Sequence, residues 1–165
     1  MVLILLRLVV SLLVVSFITT AYAVTPTIET KGVKSKGITN EDVNLRIDTF
    51  DEMDRVFKAL RFKVVNQRST NREGALEFSG QLVKLSYRLP ALFDLPSSRE
   101  VFPQSRSRPE IWSQKARFDH LLNEFVDNLE QIDDQIKAGN LTQAGRLIDA
   151  TAKGCRRCHN AFRYR

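Results

Sequence analysis

The sequence predicts an all-α fold, an antiparallel four-helix bundle. Three observations predict it. Apolar residues recur at near-heptad spacing in four separate segments. No segment alternates apolar with polar residues as a strand would, and no Asn-Gly or Asp-Gly pair marks a hairpin. Capping residues, proline and glycine fall between the four segments.

The first helix is expected from about 40 to 66. Thr39-Asn40-Glu41-Asp42 resembles a capping box at its start. Val43, Phe50, Phe57 and Val64 repeat every seven residues. Met53 and Leu60 fill the second seam position, and Arg46 occupies it one heptad earlier. The second helix is expected from about 71 to 89. It follows a second capping box, Thr70-Asn71-Arg72-Glu73, and Pro90 ends it. Its stripe is Ala75, Phe78, Leu82, Leu85 and Leu89.

A crossover over 90–108 holds Pro90, Pro96 and Pro103. Pro109 then stands where a first helical turn tolerates proline. The third helix is expected from about 109 to 138, with Ile111, Phe118, Phe125 and Ile132 in one seam and Leu122, Leu129 and Ile136 in the other. Gly139 suits a C-terminal cap, and Asn140 an N-cap. The fourth helix is expected from about 141 to 163, with Ala144, Leu147 or Ile148, Thr151, Cys155 and Phe162 along one side.

The chain has 165 residues, a length that fits one domain. Residues 1–23 read as a signal peptide. Arg7 is their only charge, an apolar run follows it, and Ala21-Tyr22-Ala23 is a small-x-small cleavage pattern. Cleavage is expected after Ala23; the alternative is an uncleaved membrane anchor. Either way the remainder is exported. Residues 24–38, rich in Thr, Gly and Lys, read as a flexible leader. The formal charge of +6 becomes +5 on cleavage, because the segment holds one arginine and no acid. One methionine, Met53, then remains, with His120, His159, Cys155 and Cys158. Two cysteines exclude a disulfide-stapled miniprotein and an all-cysteine zinc or iron–sulfur cage within one chain.

Cys155-Arg156-Arg157-Cys158-His159 is a C-x-x-C-H haem attachment motif. On a helix, residues three apart share a face. Two thiols so placed can form thioethers with the two vinyl groups on one edge of a haem, and the next imidazole can reach the iron. Three alternatives stand beside it. The cluster can be a coincidence of structural residues in a haem-free helical module. A thioredoxin-like dithiol normally follows a strand in a βαβ unit, which this sequence lacks. A zinc site lacks a fourth ligand near the cluster.

With these residues in view, the chain resembles the cytochrome c′ family, c-type cytochromes built as four-helix bundles with haem near the C-terminus. The resemblance covers about residues 40–165, within an expected bundle of 39–165. It rests on Cys155 to His159 followed by Phe162-Arg163, on Glu110-Ile111-Trp112 followed by Phe118, and on the turn Lys137-Ala138-Gly139-Asn140-Leu141. Arg46, four residues before Phe50, matches an arginine one turn before the distal residue.

The resemblance implies one covalent haem c, with thioethers at Cys155 and Cys158 and His159 as the axial iron ligand. It implies Phe50 on the distal face, which favours five-coordinate iron because Phe50 has no donor atom. Met53, one turn further on, is the alternative sixth ligand; its other role is core packing. Arg46 is expected to pair with a haem propionate, and Arg163 to lie beside the proximal imidazole. His120 falls off the seam and is expected to be solvated or partly packed.

The function implied is a periplasmic haem protein in single-electron transfer, in binding of NO or CO, or in both. The alternative is a six-coordinate, low-spin electron-transfer cytochrome with Met53 opposite His159. Lys153, Arg156, Arg157, Arg163 and Arg165 cluster near the motif and suit an acidic redox partner. Export argues against nucleic acid, and cleavage would leave no stable membrane association. The resemblance also suggests a homodimer. No nucleophile–base motif or phosphate loop points to an enzyme.

Overall fold

A computed structural model describes residues 37–67 and 72–165. The signal segment 1–23, nearly all of the leader 24–38, and Thr70 and Asn71 of the second capping box lie outside the described residues. Five α-helices are described: α1 (Asn40–Arg61), α2 (Arg72–Ser86), α3 (Glu110–Ser113), α4 (Lys115–Lys137) and α5 (Leu141–Phe162). The long helices α1, α2, α4 and α5 form the bundle; α2 packs on α1 and α4, and α5 on α4 and α1.

α1 opens on the expected capping box. Thr39 Oγ1 accepts from the Asp42 amide, and the Asp42 carboxylate accepts from the Thr39 amide at 2.8 Å. Its inward face is Val43, Arg46, Thr49, Met53, Val56 and Leu60. The helix continues as a π-helical turn, Phe62–Asn66. α2 stops at Ser86, before the expected end at 89; a turn and a 3-10 segment, Pro90–Phe93, follow.

The third expected helix is interrupted. Gln114 takes φ −119°, ψ 42°, which no α-helix allows, and separates α3 from α4. Gly139 takes φ +82°, a backbone that side chains resist, and turns the chain tightly into α5. Asn140 occupies the N-cap position of α5 without a side-chain cap; its Nδ2 donates instead to Gln135 Oε1.

The seams meet in one core that includes Leu60, Leu82, Leu129, Ile132, Ile136 and Ile148, each at most 1% exposed. Polar groups are buried beside it, among them Ser79, Ser86, Asp133 and Thr151. Ser79 donates to Asp133 at 2.5 Å, and Asp133 also pairs with Lys137 at the surface. The crossover is polar inside, with Ser97, Ser98, Ser105 and Ser107 all buried. Among the described residues no helix is long and apolar enough to cross a membrane.

Candidate functional site

α5 places Cys155, Cys158, His159 and Phe162 at spacings of three, four and seven residues, so they form one stripe. All four line a cavity of about 470 Å³, within the range of small-molecule and cofactor sites. α1 contributes Phe50, Asp51 and Asp54, and α4 contributes Phe118, Leu122 and Phe125. Arg46, Phe93, Arg106, Ser107 and Arg163 complete that part of the lining nearest the crossover residues. The fold therefore gathers Arg46, Phe50, Cys155, Cys158, His159 and Arg163 around one space. Met53 does not line it; it is buried in the core at 3% exposure. His120 is exposed on α4.

Four phenylalanines form a continuous edge-to-face series in the cavity lining. Phe50 and Phe93 have ring centroids 6.0 Å apart, Phe93 and Phe118 4.7 Å, and Phe118 and Phe162 5.4 Å. Phe93 carried no periodic signal in the sequence, because it sits in the 3-10 turn after Pro90.

Burial favours the neutral forms of the motif's donor groups. Burial pushes both thiols up, Cys158 to about 11, with Cys155 adding to the shift there. Thiolates are therefore disfavoured in this wall, whereas a thioether is neutral and loses nothing by burial. The His159 imidazole is lowered by burial and then by Arg163, against a smaller opposing effect of Asp54. Its neutral, metal-ligating form is thereby favoured.

Charge gives a second test. The lining holds five basic side chains (Arg46, Lys58, Arg106, Arg157, Arg163) and three acidic ones (Asp51, Asp54, Glu124). Lys58 pairs with Asp54 at 2.5 Å, and Arg157 with Glu124 at 2.8 Å. An excess of two positive charges remains, which matches the two propionates of a haem. Arg46 is the buried member, at 3% exposure. Its Nη1 donates to Leu92 O (3.2 Å) and Ser97 Oγ (2.5 Å). Its Nη2 donates to Ser97 O and Ser105 Oγ, both at 2.9 Å. Every terminal N–H is thus engaged by a neutral oxygen, and the charge is left without a carboxylate. Burial lowers this guanidinium to about 10. A nearby anion is what the site lacks.

The fold and this wall of two cysteines, an imidazole and uncompensated arginines define a bundle built to hold a covalent haem. The chain belongs to the cytochrome c′ family: the family's sequence profile, described as Cytochrome C', matches residues 41–163. The family binds haem c covalently through a cysteine pair, and Cys155 and Cys158 are the two cysteines here. A curated relative, cytochrome c' of Alcaligenes xylosoxydans xylosoxydans, is 33% identical over 57 residues, or 34% of this chain and 45% of the relative. The match thus spans under half of that relative's length. Among solved structures, a ferrous variant of cytochrome c prime from Alcaligenes xylosoxidans with bound NO superposes with TM-score 0.67 at 23% identity, covering 75% of this chain and 94% of that one. Cytochrome c' from Rubrivivax gelatinosus superposes with TM-score 0.65 at 18% identity, covering 74% and 94%.

Proposed function

We propose that this chain is a periplasmic haem c protein that carries single electrons, binds NO or CO, or does both. Cys155 and Cys158 hold the haem, His159 is its axial ligand, Phe50 covers the distal face, Arg46 supplies a counter-charge to a propionate, and Arg163 lies on the proximal side. One observation carries the five-coordinate reading: Phe50 lines the cavity, while Met53 is buried in the core and does not. When bound, the haem supplies one-electron chemistry and a coordination position for a diatomic ligand.

The chain's residues set the terms of that chemistry. Phe50 excludes water from the distal space and offers no hydrogen-bond donor, which disfavours O₂ relative to NO or CO. The Alcaligenes xylosoxidans neighbour was solved with bound NO, which supports the gas-binding half of the reading. Arg156 and Lys153 have no ion pair among the described residues and suit docking to an acidic redox protein. Export with cleavage after Ala23 and homodimer formation belong to the same reading.

The optical spectrum of the ferrous protein, recorded before and after CO, tests it. A high-spin spectrum that changes with CO is expected. A sharp low-spin spectrum indifferent to CO would replace this reading with a six-coordinate electron carrier, Met53 being the candidate sixth ligand.

A further inference from the structure

The four terminal N–H groups of Arg46 are engaged by the crossover, so beyond its charge Arg46 has only its Nε–H to offer a propionate. A paired set of hydrogen-bond donors for a haem carboxylate has to come from elsewhere in the lining. Arg106 and Arg163 both line the cavity, and neither side chain has a hydrogen bond or ion pair among the described residues. Lys58 and Arg157 are already paired.

Arg106 is held at the cavity by an unusual seam. Residues 106–108 run antiparallel to residues 162–164, with Ser107 bridged to Arg163. The Arg108 amide donates to Phe162 O at 3.0 Å, and the Tyr164 amide to Arg106 O at 2.8 Å. Four residues of this seam, Arg106, Ser107, Phe162 and Arg163, line the cavity. Tyr164 fastens the seam from outside the lining. Its hydroxyl donates to Glu100 at 2.6 Å, and the guanidinium carbons of Arg99 and Arg108 stand 4.6 Å and 5.5 Å from its ring centroid.

We propose that Arg106 is the direct hydrogen-bonding partner of a haem propionate, and that Tyr164 is its positioning residue. The inference rests on the haem c reading of the preceding section. A guanidinium suits a carboxylate because its paired N–H groups match the two oxygens. Its positive charge also stabilises the reduced haem, which carries one less positive charge. Arg46 then neutralises the site from within, and Arg106 grips it at the rim.

The test is the midpoint potential of the purified holoprotein. Arg106→Gln should lower it, by up to about tenfold in the redox equilibrium, or 59 mV for a one-electron couple. Arg106→Lys should recover only part of the shift, since it keeps the charge but not the paired N–H groups. Tyr164→Ala should lower the potential in the same direction, with little added effect in the Arg106→Gln background. Tyr164→Phe keeps the ring and guards against loss of folding; it should shift less. An unchanged potential in Arg106→Gln overturns the inference. Additive effects of Tyr164→Ala and Arg106→Gln overturn the positioning role. Absence of haem in a pyridine haemochrome assay of the wild-type protein would instead overturn the functional reading itself.

Discussion

Phe50 stands edge-on to Phe93, with ring centroids 6.0 Å apart and ring planes 69° to one another. Phe50 is therefore not a free flap. Phe93 is itself buried at 5% exposure and packs against Phe118. Moving Phe50 aside must break the first contact of a packed aromatic series.

That contact sets a barrier. An edge-to-face pair contributes about 0.5–1.5 kcal/mol. Phe50→Ala should therefore speed CO association with the ferrous protein by roughly two- to tenfold. Flash photolysis or stopped flow measures this directly, and unchanged kinetics would show that Phe50 does not gate the site.

Met53 separates packing from ligation. Met53→Leu conserves volume and should cost under about 1.5 kcal/mol, while Met53→Ala should cost about 2–5 kcal/mol. Neither should alter the ferrous spectrum, with or without CO. Loss of a low-spin signal in either variant would make Met53 a ligand.

Arg46 was legible as a seam arginine awaiting an anion, but its actual partners were not. The sequence places it at a heptad position four residues before Phe50, and that is local information. Its oxygens come from Leu92, Ser97 and Ser105, in a segment with no periodicity, where serine reads as loop. The helices were legible because burial repeats along them. The break at Gln114 was not, because Ile111 and Phe118 keep their seven-residue spacing across it. The pairing of residues 106–108 with 162–164 was equally hidden, since one isolated bridge leaves no alternating pattern. The stripe of Cys155, Cys158 and His159 on α5 was readable because it lies within one helical stretch.

Removing Arg46 should be costly whatever occupies the cavity. Arg46→Ala removes four hydrogen bonds, to Leu92 O, Ser97 Oγ, Ser97 O and Ser105 Oγ, each with a net worth of about 0.5–1.5 kcal/mol. A loss of roughly 2–5 kcal/mol in thermal or denaturant unfolding of the holoprotein is expected. Arg46→Lys should restore part of it, as an ammonium cannot span both serines as a planar fork does.

The core hydrogen bond between Ser79 and Asp133 gives an internal contrast. Ser79→Ala leaves the Asp133 carboxylate without its buried donor and should cost about 1–3 kcal/mol. Arg157→Gln removes an exposed ion pair with Glu124 and should cost under about 1 kcal/mol. Parallel urea titrations of the two variants check the ordering.

The hydroxyl-lined interior of the crossover has a consequence for descent. Arg46, Ser97 and Ser105 form one hydrogen-bonded cluster. A lineage that replaces Arg46 with an apolar residue takes a charged donor from two buried hydroxyls, and one that loses either serine strands part of a guanidinium. The three positions should therefore change together or not at all, so that an arginine on one helix and two serines some fifty residues downstream are inherited as a single character.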